Sequence, residues 1–107
     1  MKKRRSKQGK PQNWADSLTE RAKKENYPAR SVYKLKEIQK KFKVIRKGGK
    51  VLDLGCAPGS WLLYAAQAAG SNGKVVGVDL KPLEIALPDN ASVVCGDIHD
   101  IMEDLEQ

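Results

Sequence analysis

Histidine and phenylalanine each occur once in this chain and cysteine twice, and no long apolar run is present. Each scarcity removes a class of protein. Cys56 and Cys95 are too few for a disulfide scaffold, and no CxxC pair or Cys/His spacing suggests a metal, so none is expected. The lone His99 reads as a surface or capping residue rather than a ligand. No segment approaches the ~18 apolar residues of a membrane span, and the basic start lacks the apolar stretch of a signal peptide. The expectation is a cytoplasmic protein without membrane contact. The start carries no acid before Asp16, as a transit peptide would, but it shows no amphipathic period.

Acids are also scarce, but only in the first half. Residues 1–50 carry 18 Lys and Arg against 4 Asp and Glu, a net +14, while residues 51–107 carry 2 against 9, a net −7. Such polarity predicts a polyanion partner for the first half and a cationic small molecule for the second. Residues 1–13, with Lys2, Lys3, Arg4 and Arg5 and with Gly9 and Pro11 as breakers, read as a disordered tail or an RNA-binding arm. The first half looks too polar to bury much, which places the core mainly in residues 51–98.

The segment Val51-Leu52-Asp53-Leu54-Gly55-Cys56-Ala57-Pro58-Gly59-Ser60-Trp61 reads as a buried strand entering a tight glycine turn and then a helix. Such junctions leave unpaired N–H groups at the helix start and a crevice at the strand's carboxyl end, where open α/β sheets bind ligands. A dinucleotide would want G-x-G-x-x-G, free donors and no nearby anion. Here the glycines stand as G-x-x-x-G, Pro58 removes a donor, and Asp53 would repel phosphate. S-adenosylmethionine carries a sulfonium and an ammonium but no phosphate, so an acidic crevice suits it better.

The remaining pattern predicts helices from Asp16 or Ser17 to about Lys24, from Arg30 to about Phe42 and over Trp61–Ala69, with a fourth over Ile98–Leu105. Strands are expected at Val51–Leu54, Val75–Val78 and Ser92–Cys95, with a loop or short helix between Pro82 and Pro88. The β-α-β-α-β alternation implies a parallel, doubly wound sheet in the order 3-2-1. With strand two between them, Cys56 and Cys95 would lie roughly 9–10 Å apart, beyond the ~7 Å reach of a disulfide, so both are expected as free thiols. In the second helix, Val32, Leu35, Ile38 and Phe42 form the apolar stripe. Lys34 falls roughly 70° from its centre, which marks it as the partly buried lysine, either snorkelling or with its proton affinity lowered by desolvation.

Tyr27-Pro28-Ala29-Arg30-Ser31-Val32-Tyr33-Lys34-Leu35-Lys36-Glu37-Ile38, then Asp53 to Trp61, then Gly77-Val78-Asp79-Leu80, then Gly96-Asp97, closely resemble the FtsJ/RrmJ-type ribose 2′-O-methyltransferases over about residues 16–100. The resemblance implies a Rossmann-like S-adenosylmethionine-dependent methyltransferase fold and RNA as substrate, with large-subunit ribosomal RNA as its usual class. It assigns the cofactor to Asp53, Gly55, Gly59, Trp61, Asp79 and Asp97. Asp79 would hold the adenosine part and Asp97 would lie near the adenine. Read alone, Trp61 would be a helix-to-sheet packing residue and Asp97 a helix N-cap. Lys34 matches the first member of the family's catalytic Lys-Asp-Lys-Glu group, and RNA contacts fall to Lys2, Lys3, Arg4, Arg5, Arg30 and Lys34. Ser60 departs from the family, where many relatives have a second glycine.

The other three catalytic positions belong to strands that follow Asp97 in the family and are not in this sequence. A ribose hydroxyl is a poor nucleophile that needs a base and precise orientation, and Lys34 alone is a weak candidate for the whole task. Half a sheet would leave Val51–Leu54 with an open edge. The chain is therefore expected to be an excerpt or shortened product, inactive by itself, or to complete its sheet by self-association. Three parts are expected: a basic tail over 1–13, a basic helical RNA-facing segment over 14–49, and an S-adenosylmethionine-binding βαβαβ half-domain over 50–107. The competing expectation is a binding module that retains cofactor or RNA affinity without turnover.

Overall fold

The computed structural model describes residues 10–106, with side chains from Trp14 to Glu103. The elements run α1 (Lys10–Lys24), α2 (Val32–Phe42), β1 (Lys50–Leu54), α3 (Ser60–Ala69), β2 (Lys74–Asp79), β3 (Ala91–Cys95) and α4 (Ile98–Glu106). The three strands form one parallel sheet with β2 in the middle, the first half of a Rossmann-like layout. In register, Leu54 pairs Val78 and Val78 pairs Val94. β1 forms an edge, as the 3-2-1 order predicts.

Strand alternation determines which residues meet α3. Val75, fully buried on β2, joins Leu62, Ala65, Ala66 and Ala69 of α3, and Val51, Ala91 and Val93 pack against them from the sheet. The alternate positions Leu52, Leu54 and Val94 are exposed. At Gly77 there is no room for a side chain, since a β-carbon there would stand 2.7 Å from Cys56 Sγ and 3.2 Å from Leu62 Cδ1. α3 stops at Gly70, where Asn90 Nδ2 donates to the carbonyls of Ala66 and Gly70 at 2.8 and 3.0 Å. The Gln39 amide spans the α2–β1 connection, donating to Ile45 O and accepting from Ile45 N at 2.7 and 2.8 Å.

Three expectations change. α1 begins at Lys10 instead of Asp16, because Pro11 sits in the first turn, where proline's missing N–H costs nothing; it opens the helix rather than breaking it. Residues 1–9 of the expected tail lie outside the described residues. Of the two forms expected between Pro82 and Pro88, the structure has the loop. The basic half also has a core of its own: Ala22, Tyr27, Val32 and Tyr33 cluster with Leu18, Leu63 and Tyr64 packed around them.

The third change concerns α2. Phe42 is exposed and Tyr33 is buried instead, which rotates the buried sector away from the apolar stripe. At about 100° per residue, Lys36 then falls inside that sector and Lys34 nearly opposite it. Lys34 is accordingly exposed, contrary to expectation. The Lys36 ammonium is the sheltered one, 4.9, 5.3 and 5.6 Å from the ring centres of Tyr27, Tyr33 and Tyr64 and 3.5 Å from Glu25 Oε1. Cys56 and Cys95 are free thiols, as predicted. No described helix is long and apolar enough to cross a membrane.

Leu62 is fully buried between α3 and the sheet. Leu62→Ala is expected to cost about 2–5 kcal/mol in urea unfolding, whereas Phe42→Ala should stay within about 0.5 kcal/mol. Similar losses at the two positions would refute this core.

Candidate functional site

The β1–α3 turn is held by its own backbone donors. Gly55 N–H and Cys56 N–H both donate to Val78 O, at 2.7 and 3.2 Å, and Ala57 N–H donates to Asp79 Oδ2 at 2.9 Å. Pro58 has no donor to offer. Over this stretch a phosphate would find every N–H either absent or engaged, so the turn is a poor pyrophosphate cradle. Gly55 and Gly59 both take positive φ, 72° and 115°. They differ in surroundings. A β-carbon on Gly59 would stand 2.6 Å from Ile85 Cδ1, so the 83–85 loop packs directly on it, while one on Gly55 would meet only open space. α3 starts beyond Gly59 without a side-chain cap.

Two grooves meet at this turn. The first, about 320 Å³, is lined by Ser31, Trp61 and residues Asp53 to Pro58. The second, about 290 Å³, lies between Leu54 and Gly55 on one side and Asp79, Leu80, Gly96 and Asp97 on the other. Their acids are not equivalent. Asp79 accepts N–H bonds from Ala57 and Lys81, both 2.9 Å, which hold its carboxyl below the usual carboxylate range. Asp53 Oδ2 is buried and has no hydrogen-bond partner. Burial first, and the Asp79 charge second, push the Asp53 carboxyl up. Burial also raises the Cys56 thiol, with smaller contributions from Asp53 and Asp79. A buried carboxylate oxygen lacking a donor is stabilised by a proton or by a cation or ammonium group that reaches it.

Asp97 Oδ1 accepts from His99 N–H at 2.8 Å, so Asp97 caps the start of α4 while lining the second groove. Trp61 lines the first groove, and its indole N–H donates to Ser31 O at 2.9 Å. Lys34 N–H donates to the same carbonyl at 3.1 Å. The expected catalytic lysine and the expected cofactor-turn residue therefore share one acceptor. Ser60, a departure from the resembled pattern, is buried, and its Oγ accepts from Ala29 N–H at 2.7 Å, tying α3 to the segment before α2. Ser31 and Ser60 were not marked by sequence reasoning as site-forming. Their contribution is a carbonyl and a tertiary hydrogen bond, for which sequence has no signal beyond the Ser60 departure.

A third groove, between α1 and α2, carries Arg21, Arg30, Lys34, Lys36 and Lys40 against Glu37 and shares Ser31 with the first. Arg30 lines it with part of its guanidinium in use, donating from Nη1 to Ala15 O and Thr19 Oγ1 at 3.2 and 3.3 Å. Lys2, Lys3, Arg4 and Arg5 lie outside the described residues. Among the described residues no cluster of His, Cys, Asp and Glu could hold a metal ion.

Since folding raises the Asp53 carboxyl above its ordinary 3.8, the folded chain binds that proton more tightly than the unfolded one, and stability falls as pH rises through this window. Asp53→Asn is therefore expected to raise the melting temperature at neutral pH. The gain should shrink as acid protonates the native carboxyl, as read by thermal unfolding between about pH 4 and 8. A variant that melts lower at neutral pH would contradict an unpaired charge at this position.

The comparisons with known proteins agree with this geometry. A family model described as FtsJ-like methyltransferase matches residues 27–106. The chain is 58% identical over 101 residues to a ribosomal RNA large subunit methyltransferase E from Desulforapulum autotrophicum, covering 94% of this chain and 50% of that protein. A protein of the same name from Desulfatibacillum aliphaticivorans is 50% identical over 91 residues, covering 85% and 44%. A crystal structure described as a ribosomal RNA methyltransferase from Plasmodium falciparum superimposes with a TM-score of 0.55 at 32% identity, over 67% of this chain and 39% of that one. A SAM-dependent methyltransferase from Aquifex aeolicus, at 22% identity and a TM-score of 0.50 over 84% and 48%, shares the fold. The chain spans about half the length of the curated relatives it matches, and it belongs to the FtsJ-like methyltransferase family.

Proposed function

We propose that this chain is the cofactor-binding N-terminal portion of an S-adenosylmethionine-dependent RNA ribose 2′-O-methyltransferase, acting on large-subunit ribosomal RNA in the cytoplasm. The observation that carries this reading is the unpartnered, buried Oδ2 of Asp53 beside a turn whose Gly55, Cys56 and Ala57 N–H groups are already engaged. The residues present fit the donor. Asp53 matches its positive methionine end, and Gly55 leaves open the space a side chain would fill. Asp79, Asp97 and Leu80 line a slot for the adenosine, and Trp61 borders the groove on the α2 side. Gly59 acts by letting the 83–85 loop close on the turn. S-adenosylmethionine supplies an electrophilic methyl group on its sulfonium.

Lys34 is the catalytic residue within this chain. Its exposed side chain projects from α2, and its backbone is held to the Ser31 carbonyl that also anchors Trp61. The role that fits is orientation of the target ribose hydroxyl beside the donor; the remaining family positions belong to the part of the relatives outside this chain. The basic segment 14–49 faces RNA, with Arg30, Lys34 and Lys40 holding phosphates and Lys2, Lys3, Arg4 and Arg5 extending the contact.

Calorimetry with S-adenosylhomocysteine is expected to show binding that NADH does not displace. Asp79→Ala and Asp53→Asn should weaken it at least about 10-fold while leaving RNA affinity unchanged. RNA affinity should fall steeply with salt, by about one log unit of K per log unit of salt for each phosphate contact. NADH binding in place of the homocysteine ligand, or a flat salt response, would sink the corresponding half of the proposal.

A second proposal concerns the edge of β1. Leu52, Leu54, Val44 and Phe42 are all exposed large apolar residues, and parallel sheets are ordinarily covered on both faces. In isolation the chain is expected to self-associate through this edge. Sedimentation should show a species larger than the monomer that Leu52→Lys dissociates, and a folded monomer at all concentrations would refute it.

A further inference from the structure

Trp14 is 67% exposed, on a face of α1 that it shares with Leu18 and Arg21 at one-turn spacing. We propose that it is a stacking platform for one unpaired RNA base, at the edge of the cationic groove between α1 and α2. This inference rests on the RNA reading above and narrows it to single-stranded or looped RNA.

Three observations converge. Trp14 lines the same groove as Arg21, Arg30, Lys34 and Lys40, a cavity of about 590 Å³ in which Glu37 is the acid. Successive cations beside an open aromatic ring are the two components that bind single strands: phosphates on the charges, a base face on the ring. The turn carrying Trp14 is also held in place. Arg30 Nη1 donates to the carbonyl of Ala15, the next residue, and to Thr19 Oγ1, which itself donates to Ala15 O at 3.1 Å. The backbone beneath the platform is thus braced by an arginine from the α2 side, while the indole itself is left exposed. Finally, Ser31 borders both this groove and the one beside Asp53, so the two adjoin there. A strand with one base on Trp14 and its phosphates along the groove would run toward Lys34 and the methyl-donor crevice.

The duplex alternative fails on access. In a helix each base face is already stacked on its neighbours, and a side chain projecting from a braced helix cannot reach it without unstacking. A protein partner docking on the same indole is the other occupant that an exposed tryptophan could serve, and binding measurements separate it.

The test compares the unmutated chain with Trp14→Ala and Trp14→Phe by fluorescence anisotropy, using a labelled single-stranded oligoribonucleotide and a duplex of equal length. Trp14→Ala should weaken single-strand binding about 10-fold, the usual effect of losing one stacked base, and Trp14→Phe should recover most of that loss. Duplex affinity, the salt slope and S-adenosylhomocysteine affinity should not change. Unchanged single-strand affinity in Trp14→Ala overturns the platform and leaves the indole to a protein partner. Equal loss for both RNA forms also overturns it, since stacking cannot explain the duplex. If the unmutated chain binds neither RNA, the RNA reading itself falls.

Discussion

A carboxyl group at the end of a parallel strand, with one oxygen out of water and no donor, is the constraint around which this site is arranged. Asp53 Oδ2 is in that position, and the nearby Asp79 adds repulsion. Burying such a group costs free energy unless a cation or donor meets it. The backbone around it could have supplied donors but does not: Gly55 and Cys56 donate to Val78, and Ala57 donates to Asp79. The turn is thereby fixed in shape and leaves Asp53 unneutralised. Its shape and its charge both favour a positively charged ligand over a phosphorylated one.

The same turn also registers the basic layer. Ser31 O accepts from the Trp61 indole and from Lys34 N–H, and Ser60 Oγ accepts from Ala29 N–H. α2 is held on its other side by Lys36, whose ammonium lies among three tyrosine rings and beside Glu25. Glu25 in turn accepts from Tyr33 OH at 2.7 Å, an arrangement that pushes the tyrosine up to about 12, burial being the larger cause. Neighbouring lysines on one helix thus have opposite tasks. Lys36 is committed to packing, and Lys34 is left exposed beside the groove.

Much of this was legible in sequence wherever a local rule had one reading. The three strands, α3, the free thiols and the glycine turn followed from hydrophobic runs and breakers, and the structure shifts their limits by only a residue or two. The carboxylates of the turn were legible because their placement follows from strand ends alone. The face of α2 was not, because a stripe of aliphatic residues counts Phe42 as buried and Tyr33 as polar. Tyr33 is buried because Tyr27, Ala22 and Val32 from sequence-distant turns surround it, a tertiary effect that periodicity cannot register. Pro11 was misread because proline breaks a helix interior but opens a first turn, and only the helix itself reveals which applies.

The charge asymmetry finally acquires a spatial meaning. In sequence it is a net +14 followed by a net −7; in the fold the two signs line adjoining grooves that meet at Ser31. Adjacent fields of opposite sign sort ligands by charge over a distance comparable to the Debye length, about 8 Å at physiological salt. On the proposed reading, a polyanion would be attracted to the α1–α2 side and repelled at the carboxylates, so that its phosphates halt short of the crevice while a neutral ribose crosses the boundary. A cationic donor meets the reverse gradient and is confined to the Asp53 side. The proposed methyl transfer would thus bring its two reactants to one border without either occupying the other's place, and the hydrogen bonds converging on the Ser31 carbonyl fix where that border lies.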